Sequence, residues 1–205
     1  SRGPTTDGRS KPDLVAPGVR ICGGVAQADS PGPTGTADSC YTGSSVCGGA
    51  ANVPYYPTTG QQFYTFATGT SHACPAVAGG AALVRQFFIN QGLTPPSPAM
   101  TKAFLMNSAR FMTAVAPDEN LWSNHQGMGE MDLNEAFKRK AVTPTILRDQ
   151  LAEDMFTITG QVRTVNGMIA DSNQPFRVTL AWTDAPGVTS GAAYCNDLDL
   201  VVTVG

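Results

Sequence analysis

The chain has 205 residues, of which 41% are apolar and 14% charged, and its formal net charge is -3. This mildly acidic balance lacks the basic footprint of nucleic-acid-binding proteins, so nucleic acid is excluded as an expected partner. The longest unbroken run of apolar residues and glycine, residues 76–84, falls well short of the roughly 20 residues that cross a bilayer, so the sequence predicts no membrane span.

The first third of the chain is rich in glycine, proline, serine and threonine. Short strands are predicted there over residues 13–16, 19–25 and 62–67. Between the last two, residues 26–60 show almost no periodic apolar pattern. This segment is predicted to form a long surface loop.

Five cysteines occur without a Cys-x-x-Cys pair, which fits an exported protein better than a cytosolic metal-binding protein. Cys40 and Cys47 lie close enough in a glycine- and serine-rich stretch to close a small loop. Cys22, Cys74 and Cys195 then leave at least one sulfur unpaired if all partners lie within the chain. Together with the low charge, this cysteine usage predicts a secreted or cell-surface protein.

The middle of the chain begins with a predicted helix over residues 71–90. Its first half is apolar or small on every side, which is typical of a helix buried among its neighbours. Pro75 falls in the first turn, where backbone N–H groups have no intrahelical partner and proline is tolerated.

Two further helices are predicted from their capping residues. Ser97 as N-cap, with proline at the first helical position, predicts a helix over residues 98–110. Asp132 and Glu135 form a capping box before a short helix. That helix ends in the basic run 138–140, where positive charge favours the negative end of the helix dipole.

From about residue 141 the apolar pattern changes to a period of two, which predicts strands with one buried face. These strands are predicted over residues 155–159, 176–182 and 198–204. Residues 141–205 are therefore expected to form an all-β unit of sandwich or jelly-roll type. The stretch has room for fewer strands than such folds need, so we expect the unit to be truncated.

A glycine-led turn delivers Ser71 to the first turn of the predicted buried helix. A serine hydroxyl is a poor nucleophile unless a base takes its proton and N–H donors hold the oxyanion that forms. A helix N-terminus offers exposed N–H groups and a favourable dipole. An isolated serine at such a position is ordinarily a simple helix cap, so the surrounding residues decide its role.

Three stretches resemble motifs of the subtilisin-like proteases, in the order in which that family has them. Around Ser71 the sequence reads GTSHACPAVAG, with His72 at a position where the family varies. SRGP, DGR, KPD and APG stand before it within residues 1–18, and GMGEMDLNEA stands after it at residues 127–136. The resemblance identifies residues 1–140 as the C-terminal part of a subtilase catalytic domain, with a partial α/β fold.

The resemblance implies that Ser71 is the nucleophile of a serine endopeptidase that acts on polypeptides, with the Ser71 N–H in the oxyanion hole. The family's order of catalytic residues is Asp, His, Ser. Because no histidine precedes Ser71, we expect the Asp and His upstream of residue 1 and the isolated chain inactive. The expected partners are the missing half of the domain or another copy of the chain, since an incomplete domain exposes apolar surface and sheet edges.

Two other interpretations stay open. Ser71, Asp118 and His125 follow the chain order of an α/β-hydrolase esterase, although alanine stands where the G-x-S-x-G turn of that fold ends in glycine. His72 is a poor base for Ser71 because adjacent side chains on a helix do not face one another. Alternatively, the chain is a non-catalytic, clipped product that binds a partner.

The segment of residues 26–60 is longer than the hairpin that compact subtilases have at this place. The resemblance therefore implies an insertion near the substrate cleft. A surface loop without contact to substrate is the alternative.

In the C-terminal region, WTDAP and NDLDL resemble the β-sandwich domain appended to some secreted subtilases. Asp197 and Asp199 lie two apart on a predicted strand, so both carboxylates point to one face. Together with Asp184 they are candidate ligands for calcium, and the sequence indicates no other cofactor. The alternative is that these charges protect a strand edge from pairing.

Overall fold

The computed structural model describes residues 2–24, 64–113, 122–142, 145–169, 171–173, 175–189 and 194–204. These ranges contain strands β1 (Ile21–Gly24) and β2 (Tyr64–Ala67), helices α1 (Thr70–Asn90), α2 (Pro98–Ser108) and α3 (Leu133–Val142), and a 3-10 turn at Ala152–Asp154. The chain divides into two units, Ala16–Ala76 and Ser1–Val15 with Val77–Gly205. None of the helices in the described ranges combines the length and apolar content that a membrane crossing demands.

The unit of residues 16–76 contains a two-stranded antiparallel sheet. β1 pairs with β2 so that Ile21 lies opposite Ala67. This pairing confirms two of the predicted strands where the structure describes them, at residues 21–24 and 64–67. The predicted loop of residues 26–60 lies outside the described residues.

The described cysteines are exposed and carry free thiols: Cys22, Cys74 and Cys195. Cys40 and Cys47 lie outside the described residues. Their pairing therefore stays a prediction.

The three predicted helices are confirmed, and two of the predicted caps are visible. The Ser97 hydroxyl accepts a hydrogen bond from the Met100 N–H at 3.0 Å and starts α2. An Asp132 carboxylate oxygen accepts from the Glu135 N–H at 2.8 Å and starts α3. Each cap satisfies a first-turn N–H that has no intrahelical partner, so the sequence defines where these helices begin.

The apolar and small residues of its first half predict that α1 is buried among its neighbours, but among the described residues the helix is buried on one face. Its buried residues are Gly80, Val84 and Phe88, spaced four apart along one stripe. Leu83 and Ile89 point elsewhere and are 53% and 46% exposed. A helix is buried all round only when a second layer covers its other face, and the described residues cover one face alone.

The core lies in the unit that holds residues 77–204, where α1 meets α2. Val84 and Phe88 of α1 pack with Leu105 of α2. Phe88 meets Phe104 edge-to-face, with ring centroids 5.4 Å apart. Such pairs add to the apolar burial that joins the two helices.

Glu130 joins two other segments of this unit through backbone bridges, one parallel to Val15 and one antiparallel to Arg110. Glu130 and Arg110 exchange two N–H to C=O bonds, both of 2.8 Å. Gly129 precedes this bridge with φ of +120°, and a Cβ there would lie 2.4 Å from the Arg110 carbonyl oxygen. Glycine is therefore required at position 129. The strand predicted over residues 13–16 is observed as the single bridge between Val15 and Glu130.

The described residues from 145 to 204 contain no strand. Apolar side chains of the predicted strands are exposed instead, with Phe176 at 62% and Trp182 at 40%. A strand exists only when a neighbouring segment takes up its N–H and C=O groups, and no such neighbour is present among these residues. The β-sandwich stays a prediction, as does the domain boundary near residue 140.

Candidate active site

Ser71 is an exposed residue in the first turn of α1. The turn that leads into the helix is closed by a hydrogen bond from the His72 N–H to the Gly69 carbonyl oxygen at 3.0 Å. The N–H of Ser71 belongs to the first turn, where helical N–H groups have no intrahelical partner. The local geometry therefore places a hydroxyl beside the positive end of a helix dipole.

The turn is held by the segment that contains the APG motif. The Gly69 N–H donates to the Gly18 carbonyl oxygen at 2.8 Å. A Cβ on Gly18 would lie 2.8 Å from the Gly69 carbonyl oxygen and 3.3 Å from the Ala73 Cβ. The close approach of two backbones thus requires glycine at position 18.

Thr68 and Arg20 form a second link beside the turn, which the sequence motifs did not indicate. The Thr68 hydroxyl accepts a hydrogen bond from the Arg20 N–H at 3.0 Å. Arg20 has φ of +53°, a left-handed conformation that is uncommon outside glycine. The only sequence signal for this link was a hydroxyl residue next to a glycine turn, which is too common to be informative.

The two histidines lie in different units. His72 is half-buried beside Ser71 on α1. His125 lies with its Nε2 atom 2.9 Å from a guanidinium nitrogen of Arg2. Asp118, the third residue of the esterase alternative, lies outside the described residues.

A buried polar residue stands in the polar stretch of residues 123–126. Gln126 has no exposed surface. Its side-chain carbonyl accepts from the Met112 N–H at 2.7 Å, and its amide donates to the Met112 carbonyl oxygen at 2.8 Å. The Gln126 side chain therefore makes the pair of hydrogen bonds that a neighbouring strand would otherwise make with the Met112 backbone. The local sequence does not show this role, because Met112 lies in a different segment of the chain.

Asp184 uses both carboxylate oxygens to order a turn. One oxygen accepts from the Ala185 N–H at 2.9 Å and the Asn196 amide at 2.6 Å. The other accepts from the N–H groups of Cys195 at 2.7 Å and Asn196 at 3.0 Å. The pKa of Asp184 is lowered to about 2, and the hydrogen bond from the Asn196 N–H is the largest cause. Burial opposes this shift, and the bonds from Cys195, the Asn196 side chain and Ala185 add to it.

The four acceptor positions of the Asp184 carboxylate are therefore filled by protein donors. Among the described residues, no group of three or more His, Cys, Asp or Glu side chains is arranged to hold a metal ion. The structure thus does not bring Asp197 and Asp199 together with Asp184 as a ligand set. Calcium stays a prediction.

Comparison with known proteins agrees with the motifs around Ser71. The model of the subtilase family matches residues 1–129. "Serine protease/ABC transporter B family protein tagA" of Dictyostelium discoideum is 30% identical over 98% of this chain and 11% of its own length. "Serine protease AprX" of Bacillus subtilis is 38% identical over 46% of this chain and 16% of its own length. "Subtilisin-like protease SBT1.6" of Arabidopsis thaliana is 28% identical over 72% of this chain and 16% of its own length.

The solved structure of the patellamide maturation protease PatA matches 37% of this chain and 26% of its own, with 29% identity and a TM-score of 0.32. Structural likeness at that level carries no argument about the fold. The chain spans 11% to 16% of the length of the three curated relatives above. The family match covers more than half of the chain, and the chain therefore belongs to the subtilase family.

Proposed function

We propose that this chain contributes the nucleophile of a secreted subtilisin-like serine endopeptidase. The observation that carries the proposal is the position of Ser71, exposed in the first turn of α1 and tied through Gly69 to Gly18. Both glycines belong to motifs of the family to which the chain belongs. A serine peptidase needs a nucleophile fixed beside N–H donors, and this turn has that form.

In the proposed reaction, the Ser71 hydroxyl oxygen attacks the carbonyl carbon of a peptide bond while a histidine takes its proton. The negative charge that develops on the carbonyl oxygen is held by the Ser71 N–H and a second donor. The histidine then passes the proton to the leaving amine, and water hydrolyses the acyl-enzyme by the reverse sequence of proton transfers. Ser71 and its N–H are the parts of this machinery that we assign to the present chain.

The histidine and its aspartate are assigned to a part of the intact enzyme that these 205 residues do not include. In subtilisin, a member of this family, both precede the serine in the sequence. No histidine precedes Ser71 in the present chain. Removal of the base lowers turnover by roughly a million-fold in subtilisin itself, so the isolated chain is expected to be inactive.

The exposed face of α1 supports the same proposal. Small residues occupy positions 78, 79 and 82 on exposed parts of the helix, next to exposed Leu83. Small side chains allow another layer of the domain to approach the helix closely, and burial of Leu83 would stabilise that contact. We assign this face to the rest of the catalytic domain, and self-association is the competing outcome.

A fluorophosphonate probe, which labels activated serines, tests the assignment. In the intact enzyme we expect labelling at Ser71, loss of labelling in Ser71→Ala, and hydrolysis of casein. In the isolated chain we expect no labelling. An intact enzyme that fails to cleave casein would count against the protease assignment, and labelled Ser71 in the isolated chain would overturn its proposed inactivity.

The partner of α1 has a separate test. Sedimentation of the isolated chain, alone and with the remainder of the catalytic domain, distinguishes the candidates. A complex with that remainder supports the assignment, and a concentration-dependent dimer supports self-association. A monomer that does not bind the added remainder of the domain would contradict both the assignment and self-association.

A further inference from the structure

The segment after α3 packs against α1 and α2. Leu147 packs against the core that α1 and α2 share. It also lines an apolar cavity together with Phe87, Phe104 and Ala136. An apolar side chain among aromatic rings is the first of three contacts that hold this segment.

The second contact lies at the N-terminus of α2. One carboxylate oxygen of Asp149 accepts from the Ser97 N–H at 2.8 Å, and the other accepts from the Ser97 hydroxyl at 2.6 Å. The Ser97 hydroxyl oxygen accepts from the Met100 N–H at the same time. A carboxylate therefore extends the cap, at the end of the helix where the dipole favours negative charge.

The third contact lies at the opposite end of the same helix. The Arg177 guanidinium donates to the carbonyl oxygens of Asn107 at 3.3 Å and Ala109 at 3.0 Å. The Asn107 side-chain amide also donates to the Thr179 hydroxyl at 3.0 Å. The last carbonyl groups of a helix lack intrahelical partners, and the dipole there favours a cation.

We propose that α2 is the docking site for the C-terminal segment of this chain, held by the α2 clasp, which consists of Asp149 and Arg177. This inference goes beyond the protease function and does not depend on it. An anion binds the positive end of α2 and a cation binds its negative end, so the charges specify the direction in which the segment lies along the helix. A single contact would leave the segment free to rotate, whereas two contacts at opposite ends fix its path.

The clasp also determines which face of the segment points outward. Arg177 and Thr179 are directed to α2. Side chains alternate along an extended chain, so the even-numbered positions between 176 and 182 lie on the opposite side. Phe176, Val178, Leu180 and Trp182 are accordingly exposed. The clasp thus presents the apolar face of the predicted strand away from the helices.

The test uses the whole chain with Asp149→Asn, Arg177→Gln and both together. The matched controls are Glu153→Gln and Arg163→Gln, which change charges in the same segment without touching α2: Glu153 pairs with Arg148, and Arg163 donates to Met155. Amide hydrogen exchange of α2 and the rate of proteolytic cleavage between residues 155 and 176 are measured. Both report whether the segment stays docked.

We expect each clasp variant to raise exchange at its own end of α2 by roughly tenfold and the double variant to raise the cleavage rate by at least that factor, because hydrogen bonds to charged groups are lost. The controls should stay within about twofold of the wild type, as surface substitutions usually do. If the double variant fails to fold, the end-specific exchange of the single variants decides. Clasp variants that behave like the controls would overturn the proposal.

Discussion

The backbone N–H of Gly69 donates to the carbonyl oxygen of Gly18 at 2.8 Å, which joins two motifs that lie far apart in the sequence. The bond sits two residues before Ser71. It explains why the APG element accompanies the serine motif: the carbonyl group of its glycine holds the turn that presents the hydroxyl. The position of the candidate nucleophile therefore depends on a backbone contact and on the absence of a side chain at Gly18.

Gly18→Ala should displace the Ser71 turn. The added Cβ would lie 2.8 Å from the Gly69 carbonyl oxygen, and backbone must move to relieve that contact. Displacement of a reacting group by about 1 Å costs on the order of 100-fold in rate, so fluorophosphonate labelling of the intact enzyme should slow by that order. Exchange of the Gly69 amide in the isolated chain should rise.

Gly23→Ala is the matched control for Gly18→Ala. Gly23 lies on β1, and a Cβ there meets no atom of the described residues within 4 Å. It should leave both the labelling rate and the Gly69 exchange unchanged. Equal effects of the two substitutions would mean that the contact between Gly18 and Gly69 does not position Ser71.

Gln126→Met should lower the free energy of unfolding by about 1–3 kcal/mol, because the N–H and C=O of Met112 would lose their partner in a partly buried place. Gln86→Met is the control, since Gln86 is exposed on α1 and bonds only to Asn90 as far as the described contacts show. The control should change the free energy by less than about 0.5 kcal/mol. Denaturant unfolding measures both, and similar values for the two would contradict the role assigned to Gln126.

Asp13→Asn should lower the free energy of unfolding moderately and make that free energy less dependent on pH in the acid range. Asp13 pairs with Lys11 and with Lys102 of α2. Burial raises the pKa of Asp13, but the hydrogen bonds and charges of the two lysines outweigh burial and place the pKa below the ordinary value of 3.8. Because the carboxylate is about one-third exposed, the expected loss is about 0.5–1 kcal/mol near neutral pH.

The lowered pKa of Asp13 also determines the pH window of that effect. The ion pairs contribute fully above the unfolded-state pKa, and the contribution fades as the pH falls through the lower folded-state pKa. The difference in stability between wild type and Asp13→Asn should therefore vanish in strong acid. Asp171→Asn, which removes a charge that bonds within its own turn to Asn173, should show a smaller difference. A stability difference between wild type and Asp13→Asn that stays constant from neutral pH to strong acid would contradict the role of the ion pairs.

Asp184→Asn should loosen the turn at residues 195–196. In the wild type the carboxylate accepts hydrogen bonds from the backbone N–H groups of Cys195 and Asn196. The side-chain amide of the variant would turn its own N–H donors toward these two N–H groups. Exchange at both amides should rise. In the wild type the same protection should be present above about pH 4 and be lost as the pH falls toward the lowered pKa of about 2, because protonation removes the acceptor.

The same turn offers a test of the calcium prediction. With its acceptor positions filled by protein donors, Asp184 should keep the amides of Cys195 and Asn196 protected whether calcium or a chelator is present. Asp197→Asn and Asp199→Asn should leave that protection unchanged. Protection that a chelator removes in the wild type, and that Asp197→Asn and Asp199→Asn also remove, would show instead that the three aspartates bind calcium together.

Contacts within a single turn of chain could be predicted from the sequence. Ser97 and Asp132 were identified as caps because the N–H groups they bind lie three residues farther along the chain. The turn before Ser71 and the start of α1 were likewise predicted from neighbouring residues. The motifs around them also led to the family, which the family comparison confirmed.

Contacts between distant segments could not be predicted. Gln126 stands in a polar stretch, and the sequence does not show that Met112 lies beside it. The cap that Asp149 adds to Ser97 and the bonds from Arg177 to the end of α2 were missed for the same reason. Each of these side chains acts on a residue that the fold, and not the local sequence, brings within reach.

The sequence by itself determined the helices, their caps, the motifs and the choice of Ser71 as candidate nucleophile, since these depend on neighbouring residues. Only the tertiary structure decided that, among the described residues, α1 buries a single face and the C-terminal alternating segments form no strand, and that Gly18 holds the Ser71 turn. The physical reason is the same in each case. Alternation specifies which side chains share a face, but burial and strand pairing require a partner segment, and its position is a property of the whole fold.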